Sequence, residues 1–129
     1  MKSNKFFFRT LLITASLNFL CTVAKAQVCK DAYNTALGYY QKGQFEKIDN
    51  FLANCINDIN SYANDYLRNA NGRNRTTLFK VYKLIIASYK NLEQENLANQ
   101  KLNDLVDRTS MSKADVQNEL NNTPLTLIE

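Results

Sequence analysis

Tyr39, Gly43, Phe45, Ile48, Leu52 and Cys55 follow one another at gaps of four, two, three, four and three residues. Tyr82, Ile85, Ile86, Tyr89, Ala98, Leu102 and Leu105 fit the same template. Apolar residues three and four apart share one face of a helix. A glycine between two such runs is free to take the left-handed conformation that ends a helix and turns the chain. The spacing therefore predicts antiparallel helical hairpins stacked on one another. Glycine and proline are scarce, with Pro124 the only proline, as expected of a helical chain with few breaks. Hairpins of this kind build surfaces that hold other molecules and rarely carry chemistry.

Residues 1–26 read as a signal peptide. Lys2, Lys5 and Arg9 give a positive start, Thr10 to Val23 is mostly apolar, and Ala24-Lys25-Ala26 places small residues where a peptidase cuts before Gln27. A membrane anchor would need about 20 apolar residues. A lipid-modified Cys21 would need a small residue directly upstream, where Leu20 stands. The whole chain carries a net charge of +4. All of that excess lies in the leader, which holds Lys2, Lys5, Arg9 and Lys25 and no acid. The mature chain is near neutral, so the basic pI is no argument for nucleic-acid binding. About 100 residues remain, one domain over 27–121 followed by a tail at 122–129, enough to bury roughly two-thirds of the unfolded surface.

The first helix is expected from about Val28 to Gln41, with Lys42-Gly43-Gln44 as the turn. The second runs from about Phe45 to Ile56. A third, from about Ile59 to Ala70, is either separate or continuous with the second. Asn71-Gly72 ends it and Arg73-Asn74-Arg75 forms a solvated loop. Thr76 or Thr77 caps a fourth helix to Asn91, apolar on more than one side and so packed between neighbours. A fifth spans Glu95 to Thr109, and Ser112 begins a short last helix to about Asn121. The apolar tail after Pro124 either docks on the bundle or frays. Loss of the leader leaves Cys29 and Cys55. At 1.5 Å per residue each lies about 20 Å from Gly43, so a disulfide would close the open end of the first hairpin. Two buried free thiols are the alternative.

The chain resembles a divergent tetratricopeptide-type helical repeat. Ala32, Ala36, Tyr39, Gly43, Phe45, Leu52 and Cys55 match its pattern in the first hairpin, with Ile48 where a small alanine is usual. Tyr82, Ile85, Ile86, Tyr89, Ala98, Leu102 and Leu105 match in the second, with Glu93 and Glu95 replacing the turn glycine and the aromatic. The two anchors Tyr39 and Tyr89 stand fifty residues apart, against about 34 in a regular array. It is similar to N-terminal segments of secreted envelope proteins of Bacteroidetes-type bacteria. The resemblance implies an all-α, right-handed bundle of about five to six helices, with no cofactor and with a protein or peptide partner.

Familiar sites of chemistry are missing from the sequence. There is no histidine, hence neither the commonest general base nor the commonest metal ligand. No C-x-x-C, phosphate loop or calcium loop occurs. Asp104 and Asp107, three apart, read as a solvated face rather than a catalytic pair. Between Asp65 and Glu93 there is no acid, but there are Arg68, Arg73, Arg75, Lys80, Lys83 and Lys90. The resembled repeat implies a concave groove lined here by Tyr33, Tyr40, Gln41, Lys80, Lys83, Lys90 and Asn91, suited to an extended peptide with a carboxylate or to an anionic envelope group. Its carboxylate-clamp subtype is not supported, since Ala87 stands where that subtype has asparagine. The reading that results is an exported, non-catalytic interaction module of the periplasm or cell envelope. A small carrier of an apolar or anionic ligand is the alternative.

Overall fold

The computed structural model describes the backbone of residues 30–66 and 73–129, and the side chains of 30–57 and 75–129. The expected leader, Cys29 and the Asn71-Gly72 helix end lie outside the described residues. Helix α1 covers 30–41, followed by a 3-10 turn at Phe45–Lys47, α2 at Ile48–Tyr66, α3 at Arg73–Asn91, α4 at Glu95–Thr109 and α5 at Lys113–Asn122. No strand occurs among the described residues. The fold is all-α.

Gly43 ends α1 with φ of 76°. Its N–H donates to the Tyr40 carbonyl at 3.0 Å, and the Gln44 N–H donates to the Tyr39 carbonyl at 2.9 Å. These two bonds satisfy carbonyls that the helix leaves open. The same arrangement recurs at the end of α3. Glu93 takes φ of 58°, its N–H donates to Lys90 at 3.1 Å, and the Gln94 N–H donates to Tyr89 at 2.9 Å. After the first turn the chain is fixed by aromatic contacts: Tyr40 meets Phe45 edge-on at 5.2 Å and Tyr39 meets Phe51 at 5.6 Å.

The second and third expected helices are one. α2 runs without a break from Ile48 to Tyr66 and buries Ile48, Leu52, Cys55 and Ile56. The solvated loop expected at Arg73-Asn74-Arg75, with a cap at Thr76 or Thr77, is instead helical and belongs to α3. Arginine is a good helix former, and Arg75 has a fixed partner. Its Nε donates to Glu119 Oε1 at 2.7 Å, a second guanidinium nitrogen bonds Glu119 Oε2, and the guanidinium lies 5.7 Å from the Phe79 ring. That fork ties the start of α3 to α5. α4 has the expected bounds, and Ser112 caps α5 by accepting the Asp115 N–H at 3.1 Å.

α3 is the centre of the packing. It touches α2, α4, α5 and the 3-10 turn, and it buries Leu78, Phe79, Val81, Tyr82, Leu84, Ile85 and Ile86. Tyr33, Ala36 and Leu37 of α1, Leu105 of α4 and Val116 of α5 complete the same cluster. Four elements must surround this helix because it has so little polar face to offer water.

The left-handed turns at Gly43 and Glu93 differ in what they cost. A Cβ at Gly43 meets nothing within 4 Å, so Gly43→Ala carries only backbone strain. It is expected to lower stability by about 1 kcal/mol. Glu93→Gly relieves the same strain and is expected to raise stability by about 0.5–1 kcal/mol. Urea unfolding of both variants measures the difference; a stabilised Gly43→Ala would contradict the turn geometry.

Candidate functional site

The apolar tail docks. Leu125 and Ile128 pack against the core, Thr123 is buried, and residues 124–129 form neither helix nor strand. An irregular segment laid on a bundle must find partners for its main-chain groups. α1 and α3 supply them. Tyr33 Oη donates to the Thr126 carbonyl at 3.0 Å. Lys80 Nζ donates to the Thr126 carbonyl and Oγ1, both at 3.0 Å, and to the Leu127 carbonyl at 3.3 Å. Asn34 grips Ile128 at both main-chain atoms: Nδ2 donates to its carbonyl and Oδ1 accepts its N–H, each at 2.9 Å. Lys83 Nζ reaches the carbonyls of Leu120 at 2.8 Å and Thr123 at 2.6 Å, where α5 gives way to the tail.

Of the residues expected to line a groove, Tyr33, Lys80 and Lys83 therefore converge on this segment. Lys80, expected as an accessible groove lysine, is 7 % exposed because its ammonium lies beneath the tail carbonyls. Tyr40 and Asn91 meet one another instead, with Asn91 Nδ2 donating to Tyr40 Oη at 3.3 Å. Gln41 is exposed at the end of α1. Lys90 lies elsewhere, on a cleft of about 440 Å³ between α3, α4 and α5. Lys83, Lys90, Asn99, Gln117 and Asn121 rim that cleft above Ile86 and Leu102.

Asn34 and Thr126 did not stand out in the sequence. Asn34 follows the core residue Tyr33, and the apolar residues at 125, 127 and 128 were the available sign that something must receive the tail. Two carboxylates tie helices together. Asp104, expected on a solvated face, accepts hydrogen bonds from the Tyr82 hydroxyl and from Arg108 Nε, the latter at 2.8 Å. Asp49 accepts from the Tyr89 hydroxyl and pairs with Lys101 Nζ at 3.0 Å, joining α2 to α3 and α4. Burial pushes the Asp104 carboxyl up, but the bonds from Tyr82 and Arg108 and the charges of Arg108 and Lys101 outweigh it and hold it low. Burial pushes Tyr33 up to about 12. Burial and the bond to Asp49 push Tyr89 up to about 12 as well. These hydroxyls stay protonated at neutral pH and serve as donors that fix helices.

No family model, curated protein or solved structure matches the chain. Among the described residues no group of three or more His, Cys, Asp or Glu side chains could hold a metal, and no helix is long and apolar enough to cross a membrane.

Two outcomes follow from this geometry. Asn34→Ala removes both bonds to Ile128, each contributing about 1 kcal/mol. Hydrogen exchange at the Ile128 amide is expected to accelerate at least tenfold while the Leu105 amide in α4 is unchanged. Equal protection at Ile128 would rule the clamp out. The lowered Asp104 carboxyl contributes stability above the ordinary carboxylate range, and that contribution is lost as pH falls through its folded value. Asp104→Asn is expected to cost about 0.5–1 kcal/mol at pH 7, discounted for its partial exposure. The gap to the natural chain should close below about pH 4. Thermal melts across that range measure it.

Proposed function

We infer that this chain is an exported, non-catalytic interaction module of a bacterial envelope, built on a tetratricopeptide-like scaffold. One observation carries the reading: side chains of α1 and α3 hold an extended stretch of polypeptide by its main-chain atoms. Recognition of that kind serves protein partners. The repeat is supported by correspondence at an offset of fifty residues. Gly43 and Glu93 make the same turn, and Ile48, Leu52 and Cys55 are buried at the places where Ala98, Leu102 and Leu105 are buried after it. The charged start and apolar stretch of residues 1–26 support export.

Cys55 is 5 % exposed, and we propose that it forms a disulfide with Cys29, in keeping with an oxidising compartment. The cleft rimmed by Lys90, Asn99, Gln117 and Asn121 favours a second reading, a carrier for a small anionic ligand, since two lysines and three carboxamides rim it without an acid.

Affinity capture from envelope extract with the mature chain tests the first reading. A specific partner is expected, retained by the natural chain and lost on Asn34→Ala with helical content unchanged. Retention of the partner would remove the groove from the proposal. A small anion found by mass spectrometry in the purified protein would favour the second. Thiol counting under denaturing conditions is expected to find no free cysteine in the mature chain, and two free thiols would refute the bridge.

A further inference from the structure

Lys80 is a charged side chain almost wholly out of water, and a buried ammonium is costly unless it is paired. Its donors meet only neutral acceptors, the carbonyls of Thr126 and Leu127 and the hydroxyl of Thr126. Lys83, one turn further along α3, meets only the carbonyls of Leu120 and Thr123. Among the described residues no carboxylate forms an ion pair with either lysine. Lys80 thus lies under the segment, and Lys83 where α5 meets it, with no carboxylate against either ammonium; the one acid of the segment, Glu129, pairs with neither.

The segment is also held unlike a core element. Asn34, Tyr33 and Lys80 grip its main chain, which any extended peptide carries. Its inward residues, Leu125 and Ile128, are three apart, the period of a polyproline-type extended chain rather than the alternation of a strand. Leu127 between them is 61 % exposed.

We propose that the surface shared by α1 and α3 receives an extended acidic segment of a partner protein, and that residues 124–129 are a displaceable internal substitute for it. This rests on the interaction-module reading and names the chemistry of its ligand. Position 126 sets the preference. Thr126 Oγ1 lies 3.0 Å from Lys80 Nζ, so an aspartate there places a carboxylate against the ammonium. The bond to Thr126 has charge on the donor alone; a carboxylate puts charge on both partners, which makes the acidic segment roughly tenfold tighter. The tail competes at the millimolar effective concentration of a short tether. It shields the groove from segments without a carboxylate at the place of Thr126 and yields to those that carry one there.

The full chain, isotope-labelled for NMR, is titrated with two synthetic peptides. One has the sequence of residues 123–129 and the other carries Thr126→Asp. The Ile128 amide of the chain reports whether its tail is docked or free. The Thr126→Asp peptide is expected to free the tail at about one-tenth of the concentration the unsubstituted one needs. Raising salt from about 50 mM to about 500 mM should reduce that advantage. Lys80→Met, checked for folding by circular dichroism, should erase it. The salt series on the natural chain decides the matter if that variant does not fold. Equal potency of the two peptides at low salt, or no displacement by either on the order of 10 mM, overturns the proposal. Capture of a partner that survives Asn34→Ala and excess acidic peptide would also overturn it, while leaving the interaction module standing on another surface.

Discussion

α3 cannot face water, and most of the molecule follows from that. Leu78, Phe79, Val81, Tyr82, Leu84, Ile85 and Ile86 leave it no continuous polar side. A helix apolar on so many sides is stable only when enclosed. α2 and α4 flank it, α5 crosses its N-terminal half through Glu119 and Arg75, and α1 adds Tyr33, Ala36 and Leu37 to the same cluster. The tail completes the enclosure at Lys80. The polar groups of α3 must then be satisfied by protein rather than solvent. Tyr82 and Tyr89 turn to Asp104 and Asp49, Ser88 turns back to the Leu84 carbonyl at 2.7 Å, and the two lysines turn to the carbonyls of the chain's end.

Those polar ties act as orienting devices. Hydrophobic burial is non-directional, and a cluster of leucines and isoleucines does not by itself fix how helices are rotated about their axes. Each tyrosine hydroxyl aimed at one carboxylate does. Asp49 accepts from α3 through Tyr89 while pairing with α4 through Lys101, so the rotation of three helices is set at one carboxylate. The half-exposed ion pairs add little energy of their own. Their contribution is to select one packing among several that would bury similar area.

What was legible in the sequence was whatever a few neighbouring residues decide. Ser112 with Asp115 three residues on marked the start of α5, Gly43 marked the first turn, and α4 was bounded correctly because its periodic stripe sits between a turn and a cap. Arg73 to Arg75 were misread because basic polar residues look alike in a loop and on a helix end. Their helical state is secured by Glu119, forty-four positions from Arg75. Lys80 and Lys83 were singled out for their charge, yet the acceptors that engage them lie 37 to 47 positions away. The Asn34 clamp is likewise a contact across 94 positions. No local pattern carries such pairings, whereas helix ends are local by nature.

Asn34 reads the peptide unit of Ile128 and ignores its side chain. The grip therefore tolerates replacement at that place by other apolar residues, but it does not tolerate a change of length. One inserted or deleted residue between Thr123 and Ile128 would shift every carbonyl past Lys80 and Tyr33 at once. Evolutionary drift in the tail should accordingly run to substitutions, with the number of residues from the last helix to the clamp held constant.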